Sequence, residues 1–98
     1  MTAYLIVNYD VENPELYGEY QQGAAPALKV GSECKLLVLD AATEQVEGEG
    51  AGAQTVVLEF ESVEKAKEIY NSGEYQAVIG KRHDATSKHF AVIVNGFG

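Results

Sequence analysis

Residues 80–89, "GKRHDATSKH", hold both histidines and three of the seven Lys and Arg side chains of a protein with formal net charge -8. Three kinds of chemistry could come from them. His83, Asp84 and His89 form a His-Asp-x4-His set with the donor types of a metal site. Three ligands fall short of the four that structural zinc takes, so surface histidines are expected, with neither metal nor other cofactor. His83 could instead act as a general base, since imidazole titrates near neutrality and Lys81 and Arg82 beside it would keep it neutral. An exposed histidine with no chemical task is the alternative. Arg82 carries the rigid fork that fixes a carboxylate or phosphate through two hydrogen bonds. Buried arginines are usually paired with carboxylates. Arg82 is therefore expected to hold Glu59 or an acidic segment of a partner chain, with a ligand anion as the other reading.

These groups must be positioned by strands and helices. The stretch "AYLIVNYDV" (3–11), β-branched and aromatic-rich, reads as a strand. By its two-residue period Tyr4, Ile6, Asn8 and Asp10 share one face, and Thr55, Val57, Glu59 and Glu61 share one face of a later strand. Were Asn8 and Glu59 to face the interior, they would give a polar floor to an apolar cavity, the usual make-up of a small-molecule site. A helix starts after Asn13 as cap with Pro14 in its first position, and Leu16, Tyr17 and Tyr20 mark its buried face. Pro26 is expected to break or kink it near "GAAP", with one more turn through Ala27, Leu28 and Val30 before Gly31 ends it. "CKLLVLD" and "QTVVLEFE" are the next two strands, joined by the long loop "AATEQVEGEGAG". The glycines of that loop precede a strand rather than a helix, which excludes a phosphate cradle. Ser62 caps a second helix, "VEKAKEIYN", with Val63, Ala66, Ile69 and Tyr70 inward. "SGEYQAVIGKRHD" reads as a further short helix or turn, and "HFAVIVNG" as the last strand. Tyr17, Tyr20, Tyr70 and Tyr75 are expected at the edge of the core with bonded hydroxyls, not as an aromatic cage.

The order β-α-β-β-α-β is that of ferredoxin-like α+β folds, an antiparallel four-stranded sheet with helices on one face. The strand cores "YLIV", "LLVL", "VVL" and "FAVIV" are apolar on both faces, whereas a sheet with one wet face alternates. Helices cover only one face, so the other is expected to be buried by a second copy in a two-fold homodimer.

The 98 residues make room for one domain spanning 1–98. Charge counts against nucleic acid: 15 Asp and Glu oppose 7 Lys and Arg, and phosphate neutralisation dominates that kind of binding. No basic residue lies between Lys35 and Lys65, where Asp40, Glu44, Glu47, Glu49, Glu59, Glu61 and Glu64 fall; a solvated acidic surface is the simplest reading. One cysteine, Cys34, excludes an internal disulfide and is expected to be inert. The apolar run near the N-terminus is too short for a signal peptide and nothing approaches a membrane span, so a cytoplasmic protein without membrane partners is expected.

The segments "NPELYGEYQQGAAPAL", "VEGEGAGAQTVVLEFESVEKAKEIYNSGEYQAVIGKRHDA" and "AVIVNG" resemble the DUF1330 family, small uncharacterised proteins with a ferredoxin-like, dimeric α/β-barrel fold. Glu59, Phe60, Ser62, Ser72, Tyr75 and Arg82 match its pattern, while Tyr70 stands where the family usually has Trp and Gly31-Ser32 where it has a Gly pair. The resemblance implies a dimeric α/β barrel and brings no reaction. The candidate ligand-binding set is Arg82, Tyr75, Glu59, Asn8, Ser72, Tyr70 and His83, with no catalytic residue assigned. The ligand expected is small, partly apolar or anionic, held between sheet and helices. Two alternatives stand beside it. One is a cofactor-independent enzyme of monooxygenase, isomerase or dehalogenase type, which needs a base in the cavity. The other is a structural or interaction protein packed solid.

Overall fold

The structure, a computed structural model, describes residues 2–97. Along the chain run β1 (Ala3–Val11), α1 (Pro14–Ala27), β2 (Cys34–Asp40), β3 (Gln54–Phe60), α2 (Val63–Tyr70), α3 (Gly73–Ala85) and β4 (Thr86–Asn95). The strands form one antiparallel sheet in the order β2-β3-β1-β4, the ferredoxin-like arrangement. Leu5, Val7 and Tyr9 of β1 and Leu58 and Phe60 of β3 point to the helical side, where they meet Tyr17, Tyr20, Ala24, Ala66, Ile69 and Tyr75. Each helix starts on a polar cap that satisfies an otherwise unpaired N–H. Asn13 accepts from the Leu16 N–H at 3.1 Å, Ser62 from Lys65 at 3.1 Å and Ser72 from Tyr75 at 3.3 Å.

Two expectations need correction. α1 does not break before Pro26 but runs through it to Ala27, and no further helical turn follows. Pro26 lies in the last turn, where its missing N–H removes one hydrogen bond and interrupts nothing downstream. Lys29 then takes a left-handed conformation (φ 58°) and Gly31 follows at φ 92°, which turns the chain into β2. The segment after Ser72, expected as a short helix or turn, is a helix of 13 residues, so α3 packs along α1 and brings Tyr75 and Arg82, seven residues apart, onto one buried face.

The sheet carries two irregularities. β2 has one extra residue between Leu36 and Val38, so Leu36 and Leu39, opposite Leu58 and Val56, both face the helical side. β4 has one between Ser87 and Phe90, where Lys88 is left-handed (φ 56°) and pairs with Asp10 at 3.5 Å. On the other face the register places Val38, Val57, Ile6 and Val92 in a row across all four strands. Val38 and Val92 are exposed, as are Phe90 and Val94 beside them. The apolar second face read from the strand cores is thus present and uncovered within one chain.

No helix among the described residues is long and apolar enough to cross a membrane.

Candidate functional site

A cavity of about 210 Å³ lies between the sheet and α1, open to the surface. Leu5, Val7, Leu58 and Val56 make its floor, Ala24 and Leu28 its roof, and Leu36 and Leu39 stand at the exposed side on the edge strand. The β2 bulge matters here, because an unbroken two-residue period would turn Leu39 to the opposite face. The polar side chains on the wall are Tyr9, Tyr17, Tyr20, Tyr75 and Gln21.

The four phenols are organised as two pairs. Tyr9 and Tyr17 share a hydrogen bond of 2.6 Å between their hydroxyls, and Tyr20 and Tyr75 share another of 2.6 Å. The Tyr17 and Tyr20 rings stack at 5.8 Å, which joins the pairs into one cluster. Behind it sits Arg82, only 2% exposed. Its Nη1 donates to the Tyr75 hydroxyl at 3.3 Å, and its guanidinium carbon lies 5.6 Å from the Tyr9 ring centre and 5.9 Å from that of Tyr20. Both distances fall within the range in which a ring face attracts a cation. Burial pushes all four phenols above their ordinary range, so each is a neutral hydroxyl at physiological pH. For Arg82, burial works against the charge, Tyr75 and Tyr20 outweigh it, and the net direction is upward.

The expected ion pair with Glu59 is absent. No carboxylate pairs with Arg82 among the described residues, and its buried Nε has no hydrogen-bond partner. Glu59 cannot serve, because on β3 it alternates with Leu58 and Phe60 and so points to the opposite face of the sheet, in register with Tyr4 and Lys35. Asn8 is also on that face. It does not floor a cavity but holds a loop: its amide donates to the Gly52 carbonyl at 3.1 Å and to Thr55 Oγ1 at 3.0 Å, and its Oδ1 accepts from the Gly52 N–H at 2.6 Å. Gly52 is required there, since any Cβ would clash with the backbone of Tyr9 and Asp10.

Among the other candidates, Tyr75 lines the cavity and Ser72 caps α3. Tyr70 is half-buried at the end of α2, its ring 5.2 Å from that of Tyr75. His83 is exposed on α3, outside the cavity, stacked on His89 with ring centres 4.9 Å apart. Partial burial, then Arg82 and His89, hold its imidazole below the usual range, as its basic neighbours suggested, though Lys81 instead pairs with Glu19. No group of three or more metal-ligand side chains occurs among the described residues. Cys34 is buried, its thiol pushed up to about 11 by desolvation and donating to the Leu28 carbonyl at 3.3 Å.

Of the tyrosines expected at the core edge and not as an aromatic cage, Tyr70 is half-buried, whereas Tyr17, Tyr20 and Tyr75 lie within the core and form a cluster with Tyr9, which had no assigned role. Their hydroxyls are hydrogen-bonded, but to each other, and two of the rings face a cation. The signals were the alternation of Tyr9 with Leu5 and Val7, the Tyr17/Tyr20 spacing of three, and the Tyr75/Arg82 spacing of seven.

The fold is shared with solved proteins of low sequence identity. A Rhodopseudomonas palustris protein of unknown function superposes with a TM-score of 0.77 at 14% identity, over 99% of this chain and 83% of its own. A dimeric Bacteroides fragilis protein of unknown function and ferredoxin-like fold gives 0.62 at 14% identity, over 97% and 96%. SnoaB, a cofactor-independent oxygenase from Streptomyces nogalater, gives 0.65 at 7% identity, over 99% and 94%. No curated protein matches the chain. The DUF1330 model, a domain of unknown function, matches residues 2–97. The chain therefore belongs to the DUF1330 family, with the ferredoxin-like α+β fold that the order of its strands and helices implied.

Proposed function

We propose that the protein is a homodimer that binds a small, mainly apolar molecule bearing an anionic or strongly accepting oxygen in the cavity between sheet and helices. One observation carries the ligand reading: a buried arginine with no carboxylate partner among the described residues, placed behind hydroxyls that line an apolar cavity. A buried unpaired charge costs several kcal/mol, and an anion in the cavity would compensate it. The size suits a ligand of one or two rings, since a cavity of roughly 150 Å³ accepts benzene and this one is somewhat larger.

The dimer reading rests on the Val38–Val57–Ile6–Val92 row and on exposed Phe90 and Val94. A second sheet packed face to face would remove them from water. Similarity to the dimeric Bacteroides fragilis protein supports a dimer.

The enzyme reading draws on the likeness to SnoaB, which by itself carries fold and not function. It also needs a base in the cavity, and neither His83 nor Glu59 supplies one: the first is outside on α3 and the second is across the sheet. Binding is the better-supported role.

Calorimetric titration with benzoate, toluene and benzylammonium tests this. Benzoate should bind best, toluene more weakly and benzylammonium least. Absence of all binding, or a preference for the cation, would overturn the reading.

A further inference from the structure

Resting on that reading of the cavity, we infer that its ligand is a weak oxygen acid, a phenol- or enol-type hydroxyl on an apolar ring, and that the site holds it ionised. The inference comes from counting donors. A phenol oxygen has one proton to give and can accept others. Tyr75 accepts from Arg82 and shares a 2.6 Å bond with Tyr20. A cation bonded to the Tyr75 oxygen makes that hydroxyl a stronger donor and a poorer acceptor, so Tyr75 donates to Tyr20. The Tyr20 proton is then unused within the cluster. Arg82, Tyr75 and Tyr20 form a chain of donors that begins on a fixed positive charge and ends at a cavity wall.

The same count leaves one further proton on the Tyr9–Tyr17 pair. The wall thus offers two hydroxyl protons. Gln21 at the exposed edge is the other polar side chain, and no carboxylate or histidine lines the cavity among the described residues. The charged and titratable groups around a ligand are Tyr9 from β1, Tyr17 and Tyr20 from α1, and Tyr75 and Arg82 from α3, with Tyr70 of α2 behind Tyr75. All are neutral donors or positive. Such a wall favours an oxygen that accepts and carries negative charge, and it penalises a ligand that must donate. A neutral hydroxyl can accept one of these protons but must place its own on a phenol oxygen that already accepts, on Gln21 or on water. Losing that proton to water at the open side lets the charged oxygen accept both. A carboxylic acid is already ionised in water and gains less discrimination from the change, so the selective advantage falls to weaker acids.

The test is a spectrophotometric titration of 4-nitrophenol, whose ionised form absorbs visible light, with 4-nitrotoluene as the partner of like shape that lacks the acidic proton. With the intact protein, bound 4-nitrophenol should titrate at least one pH unit below the free compound, corresponding to about tenfold tighter binding of the anion than of the neutral phenol. Tyr20→Phe should reduce the shift and weaken 4-nitrophenol binding, with the proton of the Tyr9–Tyr17 pair accounting for the shift that remains. Tyr75→Phe, which cuts the chain one link earlier, should reduce the shift and stands in if Tyr20→Phe does not fold. Equal binding of the two compounds with no shift overturns this inference alone and leaves the cavity a binding site. Binding of neither overturns the cavity reading as well. A full shift in Tyr20→Phe overturns the assignment of the terminal donor to Tyr20.

Discussion

Replacing Arg82 by methionine separates the two accounts of that residue, because methionine keeps a long apolar stem and removes the charge. The structure sets the terms. The substitution loses one charged hydrogen bond to Tyr75, worth roughly 1.5–3 kcal/mol. It also loses two ring-face contacts at 5.6 and 5.9 Å, each about 1–2 kcal/mol when desolvated. Against these stands the desolvation of a guanidinium that is 2% exposed and leaves Nε unpartnered, several kcal/mol in itself. The terms nearly cancel. Arg82→Met should therefore melt within about 1 kcal/mol of the parent or above it, a fall of no more than roughly 4–8 °C for a chain of this size. Had Arg82 held a buried carboxylate, the same change would strand that carboxylate and cost about 3–5 kcal/mol. The assay is thermal unfolding by calorimetry at one fixed protein concentration, since association makes the melting temperature concentration-dependent. A loss of 3 kcal/mol or more would refute the account of Arg82 as an uncompensated charge in a tyrosine cage.

Other outcomes follow from the same geometry. Val92→Glu, at the β4 end of the apolar row and between exposed Phe90 and Val94, should give a monomer by light scattering with an unchanged circular dichroism spectrum; a retained dimer would place the interface elsewhere. Asn8→Ala removes three hydrogen bonds that hold the Gly52 loop, and should cost about 1–3 kcal/mol in denaturant unfolding. Gly52→Ala should be at least as damaging, because its Cβ would meet the β1 backbone rather than a movable side chain. His83, held below the usual imidazole range by partial burial and by Arg82 and His89, resists protonation in the folded protein. Its unfolded form binds a proton near pH 6.5. Stability should therefore fall as pH drops below that value, and His83→Gln should lessen the fall in melts taken between pH 7 and pH 5.

The strands and caps were legible because local rules fix them. Short β-branched and aromatic runs, Asn13 before Pro14, and Ser62 before an apolar helix face each act over a few residues. The two-sided apolar strands also announced the uncovered face of the sheet. What stayed hidden depends on register. The bulge in β2 follows from how β2 pairs with β3, and it decides that Leu39 faces the cavity. The face of β3 that Glu59 occupies set it against Arg82, a relation no spacing reveals. Pro26 falls in the last turn, where its missing N–H interrupts nothing downstream, and the length of the helix after Ser72 reflects its packing on α1 rather than a local signal. The tyrosine cluster gathers residues from β1, α1 and α3, so its parts were visible singly and its geometry was not.

The most direct test of an anion-compensated cation uses the fact that Arg82 is the one arginine in the chain. Its Nε–H gives a single side-chain arginine resonance in a proton–nitrogen-15 spectrum, assignable without ambiguity by its loss in Arg82→Met. The account predicts a sharp, exchange-protected signal that shifts on addition of benzoate in proportion to binding, and far less with toluene. A resonance that exchanges freely with water, or that stays in place while benzoate binds, would contradict it.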